Sequence, residues 1–311
     1  MSNDHDWAIE NVGRYWNNVL AGRAVLDITQ HVDLPFLPLR TSGTIWGYST
    51  LHRQWVGDDK PAIRRRGRGW LQAELYRPRW HGNQLTVVHD PCELFPQVPD
   101  WRNRQPDLSH LRQYNGVAAT SAEMVAVLAE HDVDAYLVNT NSTLPLRDAE
   151  IIEPGAPLRA FTRARPYPRK NLSMFDRLAV ALAGKAATFR RSDSVAAATQ
   201  DAYVSDLDAH NVYVCTSWQE GGPLPLMDAL RRGCAIVTTP VGQTDRLIVD
   251  GINGWICRSE DEMRERLLQL ADDPHLLYRM RLAALASQED RGDDFVREQL
   301  LRFLRGTRPR R

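Results

Sequence analysis

Residues 217–237 read SWQEGGPLPLMDALRRGCAIV. The stretch leaves the apolar run NVYVCTS (211–217), turns through Glu220, Gly221 and Gly222, and enters an apolar segment carrying Asp228. It ends in a second apolar run, AIVTTP (235–240). Apolar run, glycine corner, helix-like segment and apolar run together predict a strand–turn–helix–strand unit. Pro225 falls in the predicted first helical turn, where its missing N–H costs nothing. The free amides of that turn and the helix dipole favour an anion. Gly221 and Gly222 let backbone come close to a ligand.

The same alternation surrounds this unit. Downstream come GINGWICR, then EDEMRERLLQLADD (260–273) and a last helical region ending in FVREQLLRFLRG. Upstream, LRAFTRAR predicts a strand, NLSMFDRLAVALAG a helix, AATFRR a strand and SVAAATQDAYVSD a helix. A Pro/Gly-rich break, IIEPGAP (151–157), reads as a linker. Before it, residues 7–20 have helical periodicity, AVLDIT and GTIWGYS predict short strands, and LTVVHDP (85–91) predicts a buried parallel strand. VAATSAEMVAVLAEH (117–131) predicts strand, Ser/Thr cap and helix, and AYLVNTN closes another strand–loop unit. Asn139 and Asn141 in that loop read as turn formers. Repeated βα units imply parallel sheets covered on both faces. The expected class is α/β: two Rossmann-like βαβ domains facing a central cleft, with a reduced N-terminal domain. Residues 1–152 form the first, completed by the C-terminal helix 293–311, and residues 153–292 form the second.

Composition narrows the function. A chain of 311 residues is long enough for two cores. Lys+Arg and Asp+Glu both number 39, so no overall field recruits a polyanion. Cys92, Cys215, Cys234 and Cys257 are scattered without a CxxC pair, which suits reduced core thiols. The polar start MSNDHDWAIENV has no apolar signal region, and no 18-residue apolar run is present. A cytoplasmic protein without a membrane span is expected. A dehydrogenase would need GxGxxG after a strand, and no such run occurs.

Glu220 and Asp228 are eight positions apart, roughly 12 Å along a helix axis. Paired glycosidase carboxylates stand about 5–9.5 Å apart. The wider spacing suits two acids at opposite ends of an extended ligand whose anionic middle meets the helix start. A nucleoside diphosphate sugar has that layout.

On these residues the chain resembles the GT-B glycosyltransferases, and within them the retaining family-4 group. The donor motif Glu-x7-Glu corresponds to E220-GGPLPLM-D228, with Asp for the second Glu and Pro223 where the family often has Gly. GCAIVTTPVGQTDRLIVDGINGWIC follows the family pattern at Gly233, Gly242, Asp250, Gly251 and Gly254. R165-PYPR-K170 matches the Arg-x4-Lys that grips the diphosphate, and His89 matches the N-domain histidine beside the reacting sugar. The likeness is strong over about 158–275, fair over 85–141 and weak before residue 85. The family's first strand and glycine loop have no counterpart ahead of the first helix.

The resemblance implies sugar transfer with retention. Glu220, His89, Arg165 and Lys170 would be catalytic, with the donor held by Gly221, Gly222, Leu224, Asp228, Arg165 and Lys170. Arg163 or Arg169 is an alternative phosphate ligand. No metal or other cofactor is implied, because the two cations stabilise the leaving diphosphate. Asp206 and Asp208 form a DxD, read as a solvated turn rather than a metal site. The acceptor is an unidentified hydroxyl on a glycan, small molecule or natural product. Residues 53–80 carry eight Lys/Arg against three acids with Trp55, Trp70 and Trp80 interleaved. Arg64, Arg66, Arg68 and Trp70 are therefore candidate acceptor contacts, and hydroxylated DNA bases an alternative acceptor. A degenerate protein that binds a nucleotide or glycan without turnover is the other alternative.

Overall fold

The computed structural model describes residues 15–16, 18–20, 47–49, 85–108, 111, 116–192, 200–289 and 292–306. Their strands form two parallel sheets. The first has the order β1-β2-β3-β4, from Gly47–Ser49, Leu85–Val88, Gly116–Ala119 and Ala135–Leu137. The second has the order β6-β5-β7-β8-β9, where β5 is Leu158–Arg163, β6 Ala187–Ser192, β7 Val212–Cys215, β8 Ala235–Thr238 and β9 Gly254–Ile256. Every residue of β3, β7 and β8 is buried, as parallel strands covered on both faces require. The edge strand β6 instead exposes Arg190 and Arg191, charges that discourage further strand pairing.

Helices join the strands. Helix α1 (Ala122–Glu130) follows β3, α2 (Leu172–Ala181) follows β5, α3 (Gln200–Asp208) follows β6 and α4 (Leu224–Arg231) follows β7. The short α5 (Thr244–Leu247) follows β8, and α6 (Glu260–Asp272), α7 (Pro274–Ala286) and α8 (Asp293–Gly306) close the chain. Side-chain caps start several of these. Ser121 Oγ accepts from Met124 N at 3.2 Å, Ser259 Oγ from Glu262 N at 3.1 Å, and Asp273 Oδ1 from Leu276 N at 2.9 Å.

Helix α8 returns to the first sheet, packing on β3 and β4. Its Phe303 ring lies 5.4 Å from that of Tyr136, and Tyr15 donates to Asp293 at 2.8 Å. Asn139, expected to form a turn, is instead a buried bracket. Its Nδ2 donates to Thr120 O at 3.0 Å, while Gln299 bonds its backbone N and its side-chain Oδ1, each at 3.0 Å. One apolar core runs between the sheets and includes Phe161, Tyr203, Leu226, Met227, Leu230 and Phe303. Leu226, Met227 and Leu230 are fully buried there, so truncating any one to Ala costs about 2–5 kcal/mol.

Three local expectations change. Asp206 and Asp208 belong to the last turn of α3 rather than to a solvated turn, and both are ion-paired: Asp206 with Arg190 at 3.0 Å, Asp208 with Arg232 at 2.6 Å. The last helical region is two helices, α7 and α8. Helix α5, one turn long, had no periodic signal to announce it. The predicted strand AVLDIT lies outside the described residues, as does the basic stretch 53–80 with Arg64, Arg66, Arg68 and Trp70.

The order of the second sheet sets the position of the site. From β5 the chain crosses to β6 on one side, and from β7 to β8 on the other, although β5 and β7 are neighbours. Connections that depart in opposite directions leave a crevice beyond the carboxyl ends of the two strands, the usual ligand position in such sheets.

Candidate active site at the strand ends

The loop after β7 forms one wall of that crevice. Glu220 is only 7% exposed, and its Oε1 accepts from Ser217 Oγ at 2.7 Å. Thr239 Oγ1 holds the Ser217 carbonyl at 2.6 Å, fixing the corner to the end of β8. Gly221 and Gly242 allow a close approach of backbone to backbone. A Cβ on Gly221 would stand 1.5 Å from the carbonyl oxygen of His89. Gly242 has φ +58°, and a Cβ there would stand 2.6 Å from Gly221 O. The corner is thus pressed against the end of β2 in the other sheet.

The loop after β5 forms the opposite wall. A single 3-10 turn, Pro168–Lys170, sits directly before α2 and presents two cations to Glu220. Lys170 Nζ pairs with Oε1, and Arg169 Nη1 approaches Oε2 at 3.3 Å. Two bonds to its carbonyls hold this turn to the corner: Trp218 N donates to Arg169 O at 2.7 Å and Thr216 Oγ1 to Lys170 O at 3.0 Å. Of the predicted Arg–Lys pair, Lys170 meets Glu220, and its cationic companion there is Arg169. Arg165 lies earlier in the loop, where its carbonyl accepts from Tyr167 N at 2.7 Å.

Arg169 also crosses between the sheets. Its Nη1 lies 2.7 Å from Asp90 Oδ2, directly after His89, and 3.1 Å from Gln219 O. Burial alone would depress the guanidinium, but the carboxylates of Asp90 and Glu220 outweigh it and raise its pKa. Burial likewise pushes Glu220 up, yet Lys170 and then Arg169 prevail and hold it below the usual carboxylate value. Glu220 is therefore a buried acid kept ionised by two cations.

His89 directly follows β2 and is half-buried, its ring 5.9 Å from that of Trp16 at an interplanar angle of 23°. Burial lowers its pKa to about 4, so the imidazole is neutral at physiological pH. The residues after it fold into a capping box, Asp90 accepting from Cys92 N at 3.0 Å and Glu93 from Asp90 N at 3.0 Å. D90-P-C-E93 was the sequence signal for this turn. The turn places Asp90 against Arg169, a link that no local pattern announces because its partner is 79 positions away.

Asp228 occupies a different setting. It lies inside α4, 5% exposed, with Oδ1 accepting from Ser142 Oγ at 2.5 Å and Oδ2 from Tyr203 OH at 2.9 Å. Burial raises its pKa to about 6, against the pull of those two hydroxyls. Leu224 opens the helix, buried, with Pro223 as its N-cap. All four cysteines are free and buried. Among the described residues no helix is long and apolar enough to cross a membrane.

Comparison with known proteins bears on the fold and on one segment of the chain. Residues 187–273 match the family described as glycosyl transferases group 1. No curated protein matches the sequence. Solved structures do. A TarM mutant from S. aureus in complex with Fondaparinux, alpha-GlcNAc-glycerol and UDP is 16% identical with a TM-score of 0.59, over 72% of this chain and 51% of that one. The pneumococcal O-GlcNAc transferase GtfA in complex with UDP and GlcNAc is 15% identical with a TM-score of 0.57, over 76% and 55%. HepE of Anabaena in complex with UDP and glucose is 13% identical with a TM-score of 0.54, over 76% and 75%. The chain spans about half the length of TarM and GtfA. Its two sheets have the GT-B fold of these glycosyltransferases, and the segment 187–273, which includes the Glu220 corner, is similar to the glycosyl transferases group 1 family.

Proposed function

We propose that this chain moves a sugar from a nucleoside diphosphate sugar to a hydroxyl acceptor, with retention at the anomeric carbon and without a metal. The observation that carries the reading is the meeting of Arg169 and Lys170, from the loop after β5, with Glu220, from the loop after β7, at the switch point of the sheet. The costly event in such a transfer is rupture of the anomeric C–O bond, which leaves its electron pair on the diphosphate. Two cations, Arg169 buried and Lys170 half-buried, stabilise that growing charge strongly because the surroundings are poor in water. An arriving diphosphate shares these cations with Glu220, which frees the carboxylate to accept from sugar hydroxyls.

The acceptor oxygen then bonds to the anomeric carbon and its proton passes to the leaving phosphate on the same face. His89, neutral and held at the end of β2, suits orientation of the sugar better than proton storage. The acceptor is a glycan or small molecule. UDP is the first nucleotide to try, since TarM, GtfA and HepE were each solved with it.

The test is thermal unfolding in EDTA with UDP-, GDP-, ADP- and dTDP-sugars. Binding to the native state raises the melting temperature by mass action. A rise with one nucleotide supports the reading, and none with any sinks it. A second reading, binding without turnover, is favoured by Asp228, which stands inside α4, 5% exposed and bonded to Ser142 and Tyr203. A melting-temperature rise without release of nucleoside diphosphate in the presence of acceptors would select it.

A further inference from the structure

Beside Glu220 a second cluster, built on Gln243 and Thr140, faces the glycine corner. Gln243, in the loop after β8, is 1% exposed. Its Oε1 accepts from Arg246 Nε at 3.2 Å and Nη2 at 3.0 Å. A guanidinium only donates, so the amide has one possible orientation, with Oε1 toward Arg246 and Nε2 away from it. Arg246 also donates to Thr140 O at 3.2 Å, tying this loop to the end of β4 in the other sheet.

Nε2 of Gln243 therefore faces Gly222: a Cβ there would lie 2.8 Å from it and 2.8 Å from the Thr140 methyl. Yet this buried N–H group has no hydrogen-bond acceptor among the described residues, and the buried Thr140 Oγ1 has no partner either. A buried polar atom without a partner costs about 1–3 kcal/mol. Two at one strand-end corner, one from each half of the molecule, are the mark of a place that a polar ligand completes.

Resting on the donor-site reading above, we infer that Gln243 and Thr140 are sugar-recognition residues, donating to and bonding with a ring hydroxyl of the donor sugar. The chemistry favours the sugar over the phosphates. An amide N–H and a hydroxyl are neutral partners suited to a group that both accepts and donates, whereas the cations that meet Glu220 stand on the β5 side of the corner. Arg246 acts as a positioning residue by fixing the amide.

Calorimetric titration of the full chain with UDP and, separately, with UDP-glucose and UDP-GlcNAc tests this. Gln243→Glu keeps the size and the acceptor toward Arg246 but replaces the Nε2 donor. It should weaken the affected UDP-sugar about tenfold while leaving UDP within about twofold. Thr140→Val should act in the same direction, and it decides the matter if Gln243→Glu does not fold. Equal losses for UDP and UDP-sugar would place these residues on the nucleotide or phosphates and overturn the inference, as would unchanged binding of both. If the unaltered protein binds none of the UDP-, GDP-, ADP- and dTDP-sugars, the donor-site reading itself fails and takes the inference with it; if it binds another of these nucleotides, that nucleotide and its sugars replace UDP in the titration.

Discussion

Glu220 and Asp228 sit on one strand–turn–helix unit, and both are buried acids, yet their surroundings oppose each other. At the corner after β7, Glu220 is held by Lys170, Arg169 and Ser217, so that its charge is stabilised against burial. Within α4, Asp228 has two hydroxyls for partners, and burial prevails over them. The difference arises from topology. The corner opens onto the switch point, where the β5 loop brings two cations onto the carboxylate, whereas the helix body faces the interface between the sheets, where the hydroxyls of Ser142 and Tyr203 donate to Asp228 and the pull of Arg163 and Arg231 does not offset burial. Eight residues of spacing carry no information about which of these settings an acid will meet.

The comparison breaks first at the corner itself. Gly221→Ala drives a methyl into the His89 carbonyl and should cost at least about 3 kcal/mol, read from urea unfolding. A loss under 1 kcal/mol, taken as roughly the tolerance of a well-packed site, would mean that the two sheets are not pressed together there. Arg169→Met comes next. It strips a buried cation from Asp90 and Glu220 together and should cost about 3–5 kcal/mol. Lys170→Met should cost less, about 2 kcal/mol, because Glu220 keeps Arg169 and Ser217.

The contrast between the two acids sharpens further through pH. The raised pKa of Asp228, about 6 against 3.8, means that the folded state holds a proton the unfolded chain has lost. Stability from this group is therefore greatest below about pH 4 and falls as pH rises through 6. Asp228→Asn should gain about 2–3 kcal/mol relative to the unaltered protein between pH 4 and 7. His89 has the opposite sign. With its pKa lowered to about 4, the folded state refuses a proton that the unfolded chain takes below 6.5, so stability falls as pH drops through that window. His89→Asn should remove that limb. Parallel pH profiles for the two variants would contradict both assignments.

What could be read beforehand follows the range of the interactions. Strands β2 to β8 and helices α1, α2 and α4 were legible because apolar runs, caps and glycine corners are local. Lys170 and Glu220 were legible as members of motifs. The choice of Arg169 as the second cation was not, since RARPYPRK offers four arginines or lysines beside each other and only the 3-10 turn at Pro168 selects which side chains turn inward. Asn139 misled for a related reason: its turn propensity is local, but Thr120 and Gln299, which make it a bracket, come from β3's end and α8. Gln243 had no motif at all, its importance resting on Arg246, Thr140 and Gly222 arriving from three directions.

The most direct experiment is release of nucleoside diphosphate from the donor identified by thermal shift, measured for the unaltered protein and for Glu220→Gln. The glutamine keeps the shape of the corner but removes the charge that Lys170 and Arg169 share with an arriving diphosphate and sugar. Turnover should fall at least about a hundredfold, with the variant still folded by circular dichroism. Release at the unaltered rate would show that the chemistry lies elsewhere and that the Glu220 corner is a structural joint between the sheets.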